Sequence, residues 1–595
     1  MRFFNSKRYI AVYILLRNYL PKDKFVNEIL NFPLDGTVNK LVYFKKVASL
    51  IGLILLNIKR SESAVKTGIL AGSLLMASPY ANAKENMQLN PLRNESGQEL
   101  SVNEKPQEIT EKNTSLKIEK PSQSEASAVT KTNLAYYVPI RSYSLELQTE
   151  PPRYVKQVNK TWLKDIEGLQ DVDWLDLSVE ARLRYEYRDN DFRRKKDVLD
   201  QPYYLRTRLF AAVKNKFDPF RATIELQDSR RYNSQFANTN MEVNAAEMIQ
   251  GFGELYFKDA LGKDDLGNDR PLSVKAGRLA FEMTDKRLVA RNEFRNTTNT
   301  FQGLRVTLGQ KYSDWQADMF AFNPVIRFMD REDKADQANW FYGAVGDWRK
   351  WSKVITLQPY YYLLQQNGSK VLYAVDGTIA PASAHKNRDI NTAGLRGYGA
   401  VGKTGLDYDF NYAQQWGTDG GLNHDAYTYS LEAGYTTEHP WKPRFSGNTT
   451  YVSGDKNPND KTSQHFERLF GFNRPLSNND YALLTNIQVF KLRTEFNPTA
   501  KLRMDFGYTW IKLASATDVW VPGANLRDPT GKSGKDVGQE FDIRMRYPIR
   551  KNMALTVGYA YFMAGDFTKK TSNLVEPGRN ATSNFLYVET TVTAF

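Results

Sequence analysis

Cysteine is absent from all 595 residues. That excludes a disulfide framework, a thiolate metal site, a cysteine nucleophile and a bacterial lipoprotein anchor, and it suits an exported protein that never relies on oxidation. Histidine is scarce: four residues, His385, His424, His439 and His465, stand far apart in the chain, without metal-ligand spacing. None of them falls in an alternating strand pattern, so histidine chemistry, metal binding and cofactors are not expected, nor is an enzyme. Beyond residue 85 there is no apolar run near the roughly 20 residues that a membrane helix needs. A concentrated basic patch is missing too. The net charge is +14, but roughly +8 of it lies in residues 1–83, and elsewhere basic and acidic residues are interleaved. Nucleic-acid binding is therefore not expected.

What the chain has in quantity is aromatic. Tyr numbers 34 and Phe 32, against a mean hydropathy of −0.57. A transmembrane β-barrel reconciles the two, because only alternate residues face lipid and aromatics line both interfaces. A soluble β-rich protein gives the same averages, so composition leaves both open.

Residues 65–83, VKTGILAGSLLMASPYANA, join a basic start to a short apolar run and an Ala-x-Ala end. This is the pattern of a signal peptide cleaved after Ala83. It begins some sixty residues into the chain, which leads us to expect that residues 1 to about 55 are not translated. Residues 84–134 are rich in Glu, Lys, Ser, Thr, Asn and Gln and read as a disordered periplasmic linker. A lead-in over 135–173 and a barrel over 174–595 complete the expected organisation.

From about Trp174 the pattern becomes strict alternation. Leu177, Val179, Ala181, Leu183, Tyr185 and Tyr187 alternate with Ser178, Glu180, Arg182, Arg184, Glu186 and Arg188. Leu502, Met504, Phe506, Tyr508 and Trp510 alternate with Arg503, Asp505, Gly507 and Thr509, and Phe541, Ile543, Met545 and Tyr547 with Glu540, Asp542, Arg544 and Arg546. A period of two marks strands with one apolar and one wet face. Mixed Arg and carboxylate on the wet face, strand after strand, is the signature of a polar lumen. Turn-rich segments at Ala374–Asn391, Ser453–Asp480, Ala514–Gly538 and Gly565–Ser583 are expected outer loops. About 425 residues at roughly 24 per strand and connection predict an all-β antiparallel barrel of about 18 strands. The chain ends in Phe595, whose parity is shared by polar Thr593, Thr591 and Glu589, so a bulge near the end is expected.

Four stretches, in order, resemble the alginate-export family of outer-membrane porins. They are Trp162–Tyr185 (WLKDIEGLQDVDWLDLSVEARLRY), Gly277–Arg305 (GRLAFEMTDKRLVARNEFRNTTNTFQGLR), Tyr451–Phe472 (YVSGDKNPNDKTSQHFERLFGF) and Asp536–Asp542 (DVGQEFD). Each is weak alone, but together they span about residues 160–595. The resemblance implies an 18-stranded monomeric barrel in a Gram-negative outer membrane, set among its lipids by barrel-insertion machinery, that conducts a polyanionic polysaccharide. It does not fix the substrate, and a general or nutrient-uptake porin is the second reading. An outer-membrane lipid hydrolase is the third.

A polyuronate carries one carboxylate per sugar, so its conduit calls for cations that never deprotonate, which Arg supplies in bidentate form. Alternation places Arg182, Arg184, Arg206, Arg208, Arg305, Arg493, Arg503, Arg544 and Arg546 on wet faces, together with the acids Glu180, Glu225, Glu254, Asp318, Glu495, Asp505, Glu540 and Asp542. These side chains either line the pore and bind substrate or form ion-pair ladders that brace the barrel. By its match to the family's turn, Arg287 with Arg291 and Arg295 joins the pore candidates, against a solvated loop. Asp455, Asn457, Asn459 and Asp460 offer hard oxygens for a calcium ion, or simply Asx turns.

Overall fold

The computed structural model describes residue 136, residues 155–472 and residues 474–595. The expected signal peptide and linker lie outside the described residues. Eighteen long strands run as one antiparallel meander. They are β1 (Leu175–Asp189), β2 (Tyr203–Val213), β3 (Phe220–Tyr232), β4 (Asn244–Phe257), β5 (Leu272–Leu279) and β6 (Phe301–Gly309). Next come β7 (Trp315–Ile326), β8 (Asn339–Trp348), β9 (Thr356–Gln366), β10 (Arg388–Ala400), β11 (Leu406–Asp419) and β12 (Leu422–Thr436). The last are β13 (Arg444–Val452), β14 (Ile487–Phe496), β15 (Arg503–Lys512), β16 (Asp536–Arg550), β17 (Met553–Ala564) and β18 (Thr582–Thr593). Strand β18 returns to β1, with Thr593 opposite Glu180 and Asn584 opposite Asp189. The sheet is closed, and each of these strands is paired on both sides.

Burial runs opposite to that of a soluble sheet. On β1 the charged residues are the hidden ones: Arg182, Arg184 and Glu186 are each at most 3% exposed, while Leu183 is 36% exposed. The pattern repeats round the ring, with Ile224, Leu304, Met319, Leu431 and Leu492 outward. An apolar exterior around a polar interior is stable only in lipid, and this settles the choice that composition leaves open. Exposed Trp340 and Trp416 sit toward one end of the wall, and Trp348, Trp351 and Trp441 toward the other. These are interfacial girdles.

The two ends differ. At one, connections are mostly short, down to the two residues Lys551–Asn552 between β16 and β17, with 258–271 between β4 and β5 the exception. At the other, long segments cover 280–300, 327–338, 367–387, 453–486, 513–535 and 565–581. The expected loops fall among them with changes: Arg388–Asn391, Asp536–Gly538 and Thr582–Ser583 belong to strands. Segment 453–486 runs beyond Asp480, and 565–581 holds a helix, α1 (Asp566–Val575). One long-loop connection is tight: Gly420 and Gly421 take φ +62° and +91° between β11 and β12, which a side chain resists.

Contrary to expectation, β18 pairs with β1 and β17 without a bulge. Ser583, Phe585 and Tyr587 point inward and are buried, whereas Val592 points outward. The lumen parity simply ends in an aromatic, because the Phe595 ring lies 6.0 Å from that of Trp162, whose indole N–H donates to Ala594 O at 3.2 Å. Of the lead-in, Lys156–Gln157 pairs with Leu177 and Asp176 of β1, and two short turns follow.

Candidate functional site in the barrel lumen

The register sets Arg182 of β1 opposite Arg206 of β2, and Glu180 opposite Arg208. Facing guanidinium groups repel unless anions intervene. They are supplied by segment 280–300, which turns inward between β5 and β6. Glu293 lies 2.7 Å from Arg208 and 3.2 Å from Arg206, which also meets Glu180 at 3.0 Å. Backbone carbonyls of the segment serve as well: Arg182 donates to Glu293 O at 2.7 Å and Arg184 to Phe294 O at 2.5 Å. In return Glu225 of β3 accepts two bonds of 3.0 Å from Arg291, both side chains having no exposure. This reciprocal docking fixes the segment, since removing one partner of such a buried pair costs about 3–5 kcal/mol.

Segment 453–486 enters the lumen from the far wall. The β16 carboxylates receive it: Glu540 accepts from Ser477 Oγ and Asn478 N at 2.6 Å and from both Asn479 nitrogens, and Asp542 accepts from Asn478 Nδ2 at 2.8 Å. The two segments then clasp. Ala290 N donates to Phe470 O and Phe470 N to Leu288 O, giving a parallel bridge between Val289 and Phe470. Gly471 permits this approach, because a Cβ there would lie 1.5 Å from Arg287 O. Phe470 closes over inward Phe301 and Phe341, at 5.1 and 5.0 Å. An apolar core thus sits inside a polar barrel. Arg287 is buried within the clasp, 3.5 Å from Asp285, which corrects the solvated-loop alternative.

Other predicted residues form clusters on the wall. Arg305 pairs with Asp318 at 2.8 Å. Asp505 gathers Arg493, Arg544 and Arg546 at 3.0–3.4 Å, while Arg503 meets Glu495 at 3.4 Å. Arg444 is held among Asp407, Glu432 and Glu495.

A different set of cations collects where three long segments meet. Arg295 and Arg327 both donate to Asn299 Oδ1, and Arg468 stands close enough for its charge to act on Arg295. Arg295 also donates to Thr297 O at 3.2 Å, and Arg327 to Thr298 O at 3.3 Å. Among the described residues none of the three forms an ion pair, and Arg468 is exposed. Sequence reading reached Arg295 but missed Arg327 and Arg468, which lie outside alternating segments.

One further expectation changes. His424 does lie on a strand, β12, buried beside Gln415, with Nε2 3.2 Å from its Oε1. Among the described residues no group of three or more His, Cys, Asp or Glu is placed to hold a metal ion. Asp455 instead donates its backbone N–H to Asp518 at 2.8 Å.

A closed barrel with an apolar exterior, aromatic girdles and an ionic lumen is an outer-membrane porin. The chain belongs to the alginate export family, whose profile matches residues 173–581. No curated protein matches it in sequence. Similar solved structures include three porins of Pseudomonas aeruginosa. OccK11 (OpdR) is 15% identical, with 71% of this chain and 96% of that one covered and a TM-score of 0.45. OpdK, solved with vanillate, is 13% identical over 70% and 98%, with a TM-score of 0.47. OccK2 (OpdF), solved in complex with glucuronate, is 12% identical over 71% and 97%, with a TM-score of 0.45.

Proposed function

We propose that the protein is a passive pore in the outer membrane of a Gram-negative bacterium, conducting anionic polysaccharide of the alginate kind or other anionic solutes. Family membership supports an outer-membrane pore, and one observation carries the anionic preference. Arg295, Arg327 and Arg468 are brought together by three separate segments, and none forms an ion pair among the described residues, although the charges of Glu242, Asp333 and Glu467 reach Arg295, Arg327 and Arg468 respectively. Like charges are costly to gather, and with those carboxylates outside ion-pair distance the cluster is open to an anion from outside. The wall arginines play another part in this reading. Those of β1 and β2 are engaged by carboxylates and by segment 280–300, and they brace that segment against the wall rather than select. Hydrogen bonds from Arg295 and Arg327 to neutral oxygens orient both groups without cancelling their charge, which leaves binding weak enough for release.

Planar-bilayer recordings of the purified protein test this. Anion preference is expected, fading as salt shortens the Debye length to about 3 Å at 1 M. Added oligouronate should block the current. Exchanging all three residues (Arg295→Glu, Arg327→Glu, Arg468→Glu) should abolish both effects, whereas Arg503→Gln should leave the preference in place. A well-folded triple variant with unchanged selectivity would overturn the reading.

A further inference from the structure

The barrel wall is not uniform round its circumference at the short-turn end. Along β2–β9 most of the charges near the turns are matched in pairs, exposed Lys216, Lys311 and Lys353 being exceptions among the described residues. Arg221 meets Asp218 at 2.6 Å, Arg270 meets Asp314 at 2.6 Å, Lys350 meets Asp265 at 2.5 Å, and Lys258 and Lys263 both reach Asp269 at 3.6 Å. Along β10–β17 the exposed ones are not. Lys403, Lys442, Lys501, Arg550 and Lys551 are exposed and make no ion pair among the described residues. Glu438 is the single carboxylate in those four turns.

Directly beside this cationic rim the outer wall is hollow. Alternation keeps large side chains outward along most strands, but Ala433 of β12 and Gly447 of β13 are small where their neighbours are large. They face each other in register, at the floor of a concavity of about 660 Å³. Its walls are Tyr435, Phe445, Leu492 and Phe506, of which the first three are 46–51% exposed. All lie within a few residues of the turns that carry the lysines. An apolar slot ending under unpaired cations fits an amphiphile with a negative head.

We infer that this sector holds one anionic phospholipid of the surrounding leaflet, with an acyl chain in the slot over Gly447 and the phosphate against Lys442 of the β12–β13 turn, while Lys403 and Lys501 on the flanking turns add to the positive field. The charge complementarity selects a lipid over a second copy of the chain, whose matching face would carry the same cations and repel them. Nothing in this assignment depends on what the lumen conducts.

Native mass spectrometry of the purified chain, titrated with phosphatidylglycerol or with phosphatidylcholine of the same acyl chains, provides the test. One phosphatidylglycerol should be retained with clear preference. Lys442→Ser should weaken it by about fivefold, as expected for a lysine at an anionic lipid surface, and Lys403→Ser or Lys501→Ser by less. Gly447→Phe should fill the slot and displace the lipid without disturbing the barrel. A Cβ at that position meets only Leu492, at 3.8 Å, and Phe suits a strand. Equal retention of the two lipids, or unchanged retention by Gly447→Phe, would overturn the assignment. So would a dimer in the parent protein that this substitution dissolves, because the slot would then belong to a second copy.

Discussion

His465 is held from both sides. Its Nδ1 lies 2.7 Å from Asp518 of segment 513–535, and its Nε2 2.6 Å from the Thr485 hydroxyl. Burial opposes a charge on the imidazole, but the hydrogen bond and charge of Asp518 outweigh it, so folding raises the His465 pKa and lowers that of Asp518. A group whose pKa is raised by folding stabilises most below its unfolded value, about 6.5, and the contribution is lost as pH rises through the folded value. Thermal unfolding of the detergent-solubilised protein should therefore show Tm falling as pH is taken upward from about 6.5. Asp518→Asn should flatten that slope, and an unchanged slope would remove His465 from the account. Which arginines face inward was readable from parity alone, because a strand's period of two admits one choice. What each inward arginine meets was not. Arg182 meets Glu293 and Arg291 meets Glu225 across 111 and 66 residues of sequence, and no local pattern encodes such a pairing.

At the scale of elements, the strands were legible and the inserted segments were not. Alternation reports a face, and every strand of the ring has one. Segment 453–486 has no period, since its docking uses backbone N–H groups and short polar side chains at Ser477, Asn478 and Asn479. Helix α1 was hidden for a similar reason: Thr568, Thr571 and Ser572 make up most of its buried face, beside Phe567, so no apolar stripe marks it. The β16 anchor offers a way to release one segment alone. A hydrogen bond to a charged acceptor contributes about 1.5–3 kcal/mol, and Glu540 accepts four from Ser477, Asn478 and Asn479. Glu540→Ala should loosen segment 453–486 while leaving the barrel closed. Limited proteolysis should then cut between Lys456 and Lys461, and single-channel traces should show larger, noisier openings. A variant as resistant and as quiet as the parent would show that the clasp at Val289 and Phe470 holds the segment unaided.

For the whole molecule, the asymmetry of the two ends fixes an orientation that can be checked on cells. The short connections leave almost no backbone to carry through the bilayer, as in Lys551–Asn552, whereas segments such as 453–486 and 513–535 are long and polar at their tips. Barrels of this class enter the outer membrane from the periplasm, so long loops cross it and short turns stay behind. The exposed stretches Lys456–Lys461 and Asp528–Lys532 should therefore lie outside the cell, and the turn between β12 and β13 inside the periplasm. The internal bonds of these stretches are local Asx turns, such as Asn459 N to Asn457 Oδ1 and Thr530 N to Asp528 Oδ1, so an inserted epitope should not disturb the clasp. Antibody should reach tags after Asn459 and after Thr530 on intact cells. A tag after Glu438 should be reached only once the outer membrane is permeabilised. The reverse result would invert the barrel, place the Arg295, Arg327 and Arg468 cluster toward the periplasm, and move the phospholipid slot to the outer leaflet.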